Sequence, residues 1–231
     1  MIPHHFTVDV EEHFQVLALA PYVPRESWES LESRVVRNVD RLLDLLARHG
    51  ATGTFFTLGW LAERQPVMVR AITAAGHEMA SHGYDHRRVT EQTPEAFRES
   101  VRRPGYGYAG GGRDPYWLER AGGRLLEVPP ATLRRLGLNL PAAGGAYFRL
   151  LPYGLVRAAL RDAERRGVPG TFYLHPWEYD PDQPRFPVKA LPRIRHYGGL
   201  GRTWSRLERL LGEFRFTSIA SRLGTLAPVA A

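Results

Sequence analysis

The chain has 231 residues, 43% of them hydrophobic, and no cysteine. It can bury a sizeable core as one domain spanning residues 1–231, and disulfides, thiolate zinc sites and a cysteine nucleophile are excluded, so any metal falls to His, Asp or Glu. The formal charge of +7 comes from scattered basic residues, of which Lys189 is the only lysine; scatter of this kind fits solvated helix faces, and no nucleic-acid partner is expected. No bilayer-length apolar run and no leader-like pairing of a charged with an apolar segment is visible, so neither a membrane span nor a secretory signal is expected, and the expected compartment is the cytoplasm.

Residues 6–10 read as a strand. After a proline-containing connection, Val35, Val39, Leu42, Leu43 and Leu46 recur at helical spacing, with Gly50 as the stop. Residues 52–58, rich in β-branched and aromatic side chains, predict a second strand. An amphipathic helix that Pro66 starts and Gly76 ends comes next. A third strand follows at residues 77–81, and Thr93-Pro94 opens a helix through about residue 103. Residues 104–123, with seven glycines and no period, read as loop. Beyond it come a strand at 125–128, a helix at 152–166, a strand at 170–174, a helix at 203–211 and a strand around Phe214 and Phe216. Strands and helices alternating in this order predict an α/β fold with parallel strands and right-handed crossovers.

Three of these strands end on residues that bind metals or move protons. In Asp9-Val10-Glu11-Glu12 the period of two puts Asp9 and Glu11 on one side and Glu12 on the other. One carboxylate of the pair can ligate a divalent ion while the other, ionised beside the positive centre, takes a proton from bound water; taken alone, the pair reads better as a solvated acidic strand end. His82 and His86 lie four apart after the third strand, close enough in sequence for a tight loop to aim both at one ion. Joined to the acidic pair they complete a His, His, carboxylate set with a position left for water. His175 closes the run Thr171-Phe172-Tyr173-Leu174, and Pro176 stops the strand and fixes its exit. An imidazole there suits a general acid for an amine leaving group, the competing reading being a capping histidine. Trp177 either walls the pocket by stacking on a sugar or belongs to the core. His4, His5, His13, His49, His77 and His196 take no role.

These residues together resemble the polysaccharide deacetylase superfamily, the NodB-homology carbohydrate esterases, and within it the branch found with exopolysaccharide and exosortase loci. The matching stretches are residues 7–16, with Thr7-Val8-Asp9-Val10-Glu11-Glu12-His13-Phe14-Gln15-Val16, residues 53–60, with Gly53-Thr54-Phe55-Phe56-Thr57-Leu58-Gly59-Trp60, residues 76–86, which end Ser81-His82-Gly83-Tyr84-Asp85-His86, and residues 172–185, which include Leu174-His175-Pro176-Trp177-Glu178-Tyr179-Asp180. The resemblance implies a distorted (β/α) barrel and metal-dependent removal of an acetyl group from an N-acetylated hexosamine in a glycan. It makes Asp9 the general base, gives Glu11, His82 and His86 to the metal, usually zinc, and makes His175 the general acid, with Tyr84 and Trp177 expected at the substrate. The stretch between residue 103 and the strand at 125 is shorter than in relatives, so one or two βα units are expected to be missing. Arg102-Arg103-Pro104-Gly105-Tyr106 reads either as a compressed form of the family's arginine motif, placing Arg102 beside Asp9, or as an ordinary helix end.

Overall fold

The computed structural model describes residues 2–87, 113–120, 123–135 and 138–225. Strand β1 (His4–Val10) is the middle of a five-stranded sheet, with β2 (Thr54–Thr57) on one side, β8 (Thr171–Leu174) on the other, β3 (Glu78–Ser81) beyond β2, and the two-residue β9 (Phe216–Thr217) against the start of β1. Every pairing in this sheet is parallel. A central parallel strand is covered on both faces, and β1 accordingly buries its residues almost throughout rather than alternately. Its two leading histidines are accommodated by hydrogen bonds, His4 Nδ1 accepting the Gly170 N–H at 3.0 Å and His5 Nδ1 lying 3.2 Å from Thr171 Oγ1. Burial holds both imidazoles down to about 4, so they are neutral core residues.

The helices between strands follow the expected pattern. Helix α1 (Val35–Arg48) buries Val35, Val39, Leu42 and Leu46 along one stripe, with Asn38 and Leu45 beside it. Helix α3 (Pro66–Ala74) starts at its proline and ends before Gly76, which sits at φ +80° where a side chain would be strained. Helices α5 (Tyr153–Arg165) and α7 (Leu200–Glu213) supply the layer behind β8 and β9. One core joins these elements, from Phe6, Val8 and Phe55 to Phe172, Leu207 and Phe216. Three short helices escape the sequence pattern: α2 (Gly59–Arg64), α4 (Gly145–Leu150) and α6 (Ala190–Tyr197).

The middle of the chain departs from expectation. Residues 116–120, placed in a loop by the glycines around them, form β4 (Tyr116–Arg120), and the strand expected at 125–128 is β5 (Gly123–Glu127), antiparallel to β4 and outside the parallel sheet. Two residues separate them, and a parallel crossover needs about a dozen, so only a hairpin is available. A second hairpin, β6 (Thr132–Arg135) with β7 (Leu138–Pro141), follows. Non-strand backbone continues past the outer edge of β8, where the Ala131 N–H donates to the Thr171 carbonyl and the Tyr173 N–H to the Ala143 carbonyl, both at 2.9 Å. Among the described residues no strand pairing closes β3 to β8. The helix expected at 93–103 lies outside the described residues.

Register levels the strand ends. Val10 is opposite Thr57, Thr57 is opposite Ser81, and Val8 is opposite Leu174, so the residues that leave β1, β3 and β8 emerge on the same C-terminal rim. The start of α1 then ties two rim segments together. Glu12, buried, accepts the N–H groups of Arg34 and Val35 at 3.1 and 3.3 Å and the Ser33 hydroxyl at 2.5 Å, which satisfies donors a helix N-terminus otherwise leaves open. Asp180, after β8, accepts from Arg34 Nε at 2.7 Å, Arg37 Nη2 at 3.0 Å and Asn38 Nδ2 at 3.2 Å. The segments after β1 and after β8 are thereby held to one helix end.

Candidate metal and catalytic site

Glu11, His82 and His86 each present one donor atom, and these atoms lie within 4.8 Å of one another. Ligands about 2.0–2.2 Å from one zinc are at most about 4.4 Å apart, so a sub-ångström closing of the side chains suffices to seat an ion. Glu11 is 1% exposed, and its Oε2 accepts no hydrogen bond although it faces His86 Nε2 at 3.3 Å. A carboxylate oxygen buried in this way is costly unless a positive charge compensates it. One carboxylate and two imidazoles are a donor set that zinc and several other divalent metals accept, and the residues fit such an ion.

The two histidines are aimed by a loop that the sequence folds tightly. Gly83 takes φ +74° and His86 φ +61°, and His86 is the one non-glycine residue among those described with positive φ. A bulky side chain held in the left-handed region marks a position whose surroundings enforce it, and such positions concentrate at functional sites. Those surroundings are the first N–H groups of α2, Gly59 donating to the Gly83 carbonyl at 2.7 Å and Trp60 to the Tyr84 carbonyl at 3.0 Å. Arg25 and Arg87 add ion pairs to Asp85 at 3.5 and 2.8 Å.

Asp9 and His175 stand across the same cavity, which has a volume of about 460 Å³ and is lined by both together with Glu11, His82 and His86. His175 Nε2 is 3.7 Å from Asp9 Oδ2 and 3.6 Å from Glu11 Oε1, and His82 Nδ1 is 4.0 Å from Asp9 Oδ1. All five residues expected for metal and proton chemistry are thus brought together. Arg102 lies outside the described residues.

Behind His175 stands a pair of residues to which the sequence reading gave no role. His175 Nδ1 lies 3.2 Å from Glu178 Oε2, which also accepts the His175 backbone N–H at 3.1 Å, and Glu178 Oε1 accepts from Arg149 Nε at 2.8 Å. Burial works against a charged His175, but Glu11, then Glu178 and Asp9 outweigh it and lift the imidazole to about 9. Burial likewise opposes the Glu178 carboxylate, and Arg149 and His175 overcome it, holding the group at about 2. Glu178 had a faint signal: Pro176 in the first turn and a carboxylate three residues after His175 form a capping box on the 3-10 helix Pro176–Tyr179. Arg149 had none.

Tyr84 is placed otherwise than expected, and Trp177 takes the core position that its sequence reading left open beside the substrate role. The Tyr84 ring packs against Gly59, where an added Cβ would meet it at 2.8 Å, and its hydroxyl donates to Glu63 at 2.8 Å, away from the metal cavity. Trp177 is 4% exposed, stacked against His196 at 4.3 Å and His175 at 5.2 Å, and donates its indole N–H to Glu11 Oε1 at 3.1 Å. Buried among these rings, it supports a metal ligand rather than offering a face to sugar. Replacing Trp177 with phenylalanine keeps much of the packing and removes that hydrogen bond; the expected result is a ten- to hundredfold loss of zinc affinity, on the order seen for partners of metal ligands, read by competition with a chromophoric chelator. Unchanged affinity would show that Glu11 is oriented by other means.

The model of a domain of unknown function, DUF3473, matches residues 98–223, more than half of the chain, and the polysaccharide deacetylase model matches residues 30–140. The chain belongs to the polysaccharide deacetylase family and carries the DUF3473 domain in its C-terminal half. Among curated relatives it is 29% identical over 100 residues to the peptidoglycan-N-acetylmuramic acid deacetylase PdaA of Bacillus subtilis, covering 42% of this chain and 38% of that protein. It is 33% identical over 60 residues to the chitooligosaccharide deacetylase of a Bradyrhizobium strain, covering 26% of this chain and 27% of the other. These matches span less than two-fifths of either relative. A crystal structure from Mycobacterium smegmatis assigned as a polysaccharide deacetylase superposes with a TM-score of 0.57 at 17% identity, over 100% of this chain and 94% of the other, and the two share the α/β fold with its parallel sheet. No described helix is long and apolar enough to cross a membrane.

Proposed function

We propose that this chain is a zinc-dependent polysaccharide N-deacetylase that hydrolyses the acetamide of N-acetylhexosamine units, in the making or tailoring of an exopolysaccharide. The observation that carries the reading is the meeting of Asp9, Glu11, His82, His86 and His175 in one cavity, with a buried Glu11 oxygen that accepts no hydrogen bond. The deacetylases among the relatives support the choice of substrate class.

Glu11, His82 and His86 would hold the ion, which when bound supplies a positive centre that polarises the acetyl carbonyl and makes water more acidic. Asp9, on the rim beside these ligands, accepts the proton of the attacking water. His175 presents Nε2 to the cavity while the Glu178 carboxylate lies against Nδ1 and favours the imidazolium, the form that can deliver a proton from Nε2. That proton goes to the amide nitrogen as the C–N bond breaks, so water and acetamide become acetate and a free amine.

Purified protein supplied with N-acetylated chitooligosaccharide is expected to release acetate, to lose that activity with EDTA, and to regain it on adding about one zinc per chain. Zinc content after reconstitution, measured in the parent and in His82→Ala, is expected to fall from about one per chain to near zero. A parent that binds no zinc would overturn the reading.

A further inference from the structure

The cations of this chain are scattered, but its acids are not. None of the 24 acidic residues falls within 13–25, 128–161 or 183–207, and the fold brings these three stretches together. Helix α6 packs against α4 and against the 3-10 helix Leu17–Leu19, and Arg149 of α4 fastens the end of α6 by donating to the carbonyls of Arg195, His196 and Gly198. Lys189, Arg193 and Arg195 are exposed on this face, and none of the three elements that build it carries a carboxylate. Large apolar side chains are exposed there too. Among the described residues eight are exposed, and four of them, Tyr147, Leu151, Leu191 and Ile194, lie on α6 and on or directly after α4. Leu191 and Ile194, 66% and 58% exposed, are three apart on α6 and face away from its buried His196 and Tyr197. We infer that this face docks on an anionic phospholipid bilayer, with Leu191 and Ile194 entering the headgroup boundary and Lys189, Arg193 and Arg195 meeting the lipid phosphates.

The combination of exposed aliphatic groups with unopposed cations selects the occupant. A concentration of exposed apolar side chains marks an interaction surface. A nucleic acid or an anionic glycan would meet the cations, yet neither offers an apolar phase to Leu191 and Ile194. A second copy in a two-fold contact would set Lys189, Arg193 and Arg195 against the same three cations. A bilayer with acidic headgroups supplies an apolar layer and a negative layer at adjacent depths, and Lys and Arg reach the second while their stems lie along the first. Helix α6 has eight residues, far short of a membrane span, so it lies in the interface rather than crossing it. A cavity of about 820 Å³ is lined by Tyr147, Leu151 and Arg195 of this face and also by His175, so a bilayer seated here lies beside the reaction site. Docking of this kind does not depend on the deacetylase reading.

The test is co-sedimentation of the full chain with vesicles of phosphatidylcholine alone, or of phosphatidylcholine with an equal share of phosphatidylglycerol, at low and at high salt. The parent is expected to bind the phosphatidylglycerol vesicles about tenfold or more tighter than the neutral ones, with the difference shrinking as salt screens the lipid charge. Leu191→Ser combined with Ile194→Ser is expected to weaken that binding by about tenfold or more, and Lys189→Gln combined with Arg193→Gln by a comparable factor. Ile194→Trp reads insertion directly: fluorescence added to that of the five native tryptophans is expected to shift to the blue on vesicles and to be quenched by lipids brominated on their acyl chains. All four positions are exposed, so the variants are expected to fold as the parent does, which circular dichroism checks. No binding of the parent to phosphatidylglycerol vesicles overturns the inference and makes an acidic protein the better occupant. Equal binding by the parent and the double serine variant also overturns it, because a general attraction of a basic chain for polyanions has no need of the aliphatic side chains.

Discussion

Asp9→Asn is expected to lower acetate release by about 10²–10⁴-fold, the usual contribution of a positioned general base, while leaving zinc content at about one per chain. The expectation follows from what separates the two carboxylates of β1 and its exit. Glu11 is buried, contacts His86 and is hydrogen-bonded by Trp177, whereas Asp9 retains 24% of its side-chain surface and stands 3.7 Å from His175 Nε2 across the cavity. A ligand needs a fixed direction, and a base needs access to water; each residue has the surroundings for one of these tasks. Asparagine preserves the shape of Asp9 and removes the capacity to take a proton, so the variant isolates that step. Two results would break the assignment. Loss of zinc in Asp9→Asn would make Asp9 a ligand, and retained turnover within a few-fold would place the base elsewhere. Glu11→Gln is the matching control, expected to lose both zinc and turnover.

The division between what the sequence reveals and what it hides follows physical lines. The rim residues were legible because each follows a short β-branched or aromatic run and is followed by a breaker, and parallel register then carries separate strand ends to one level. The α1 stripe and the Pro66-to-Gly76 helix were legible because period and punctuation agree. Helices α4 and α6 were not, since Gly144, Gly145 and Pro192 read locally as breakers, and only contact with Tyr173 explains the glycines. The β4–β5 hairpin was hidden by the glycines that flank it. The resemblance puts Tyr84 and Trp177 at the substrate, and residue type alone leaves Trp177 open between pocket wall and core; neither reveals what a ring packs against, and here the neighbours are Gly59 for one and His175 and His196 for the other. Arg149 is the clearest case. One arginine among thirty-one basic residues carries no local mark, and its importance comes wholly from partners 29 to 49 positions away.

Arg149→Met is expected to be the most destabilising single change considered. The guanidinium is 1% exposed and its donors are engaged: Nε with Glu178, Nη1 with the carbonyls of His196 at 3.0 Å and Gly198 at 2.5 Å, and Nη2 with that of Arg195 at 2.7 Å. It therefore closes the C-terminal end of α6 and neutralises the carboxylate behind His175 in one group, a fork that lysine cannot reproduce. Methionine fills similar space but removes the larger of the two partners of the buried Glu178 carboxylate, leaving only His175 beside it, and breaking a buried pair in this way costs about 3–5 kcal/mol. For a chain of this size that is a Tm lower by about 6–20 °C. The pH dependence separates the charge effect from lost packing. In the parent, Glu178 is depressed to about 2, so its contribution is fully present above the ordinary carboxylate value near 4.5 and disappears as the pH falls toward 2. In Arg149→Met the same carboxyl, no longer held down by the guanidinium, gains a proton at higher pH and is relieved of its buried charge. The Tm difference between parent and variant is therefore expected to narrow as the pH is taken from 7 toward 4. A difference that stays constant over that range would mean that Arg149 acts through packing and helix capping alone, and a Tm within about 2 °C of the parent at pH 7 would remove the ion pair from any account of how His175 is held.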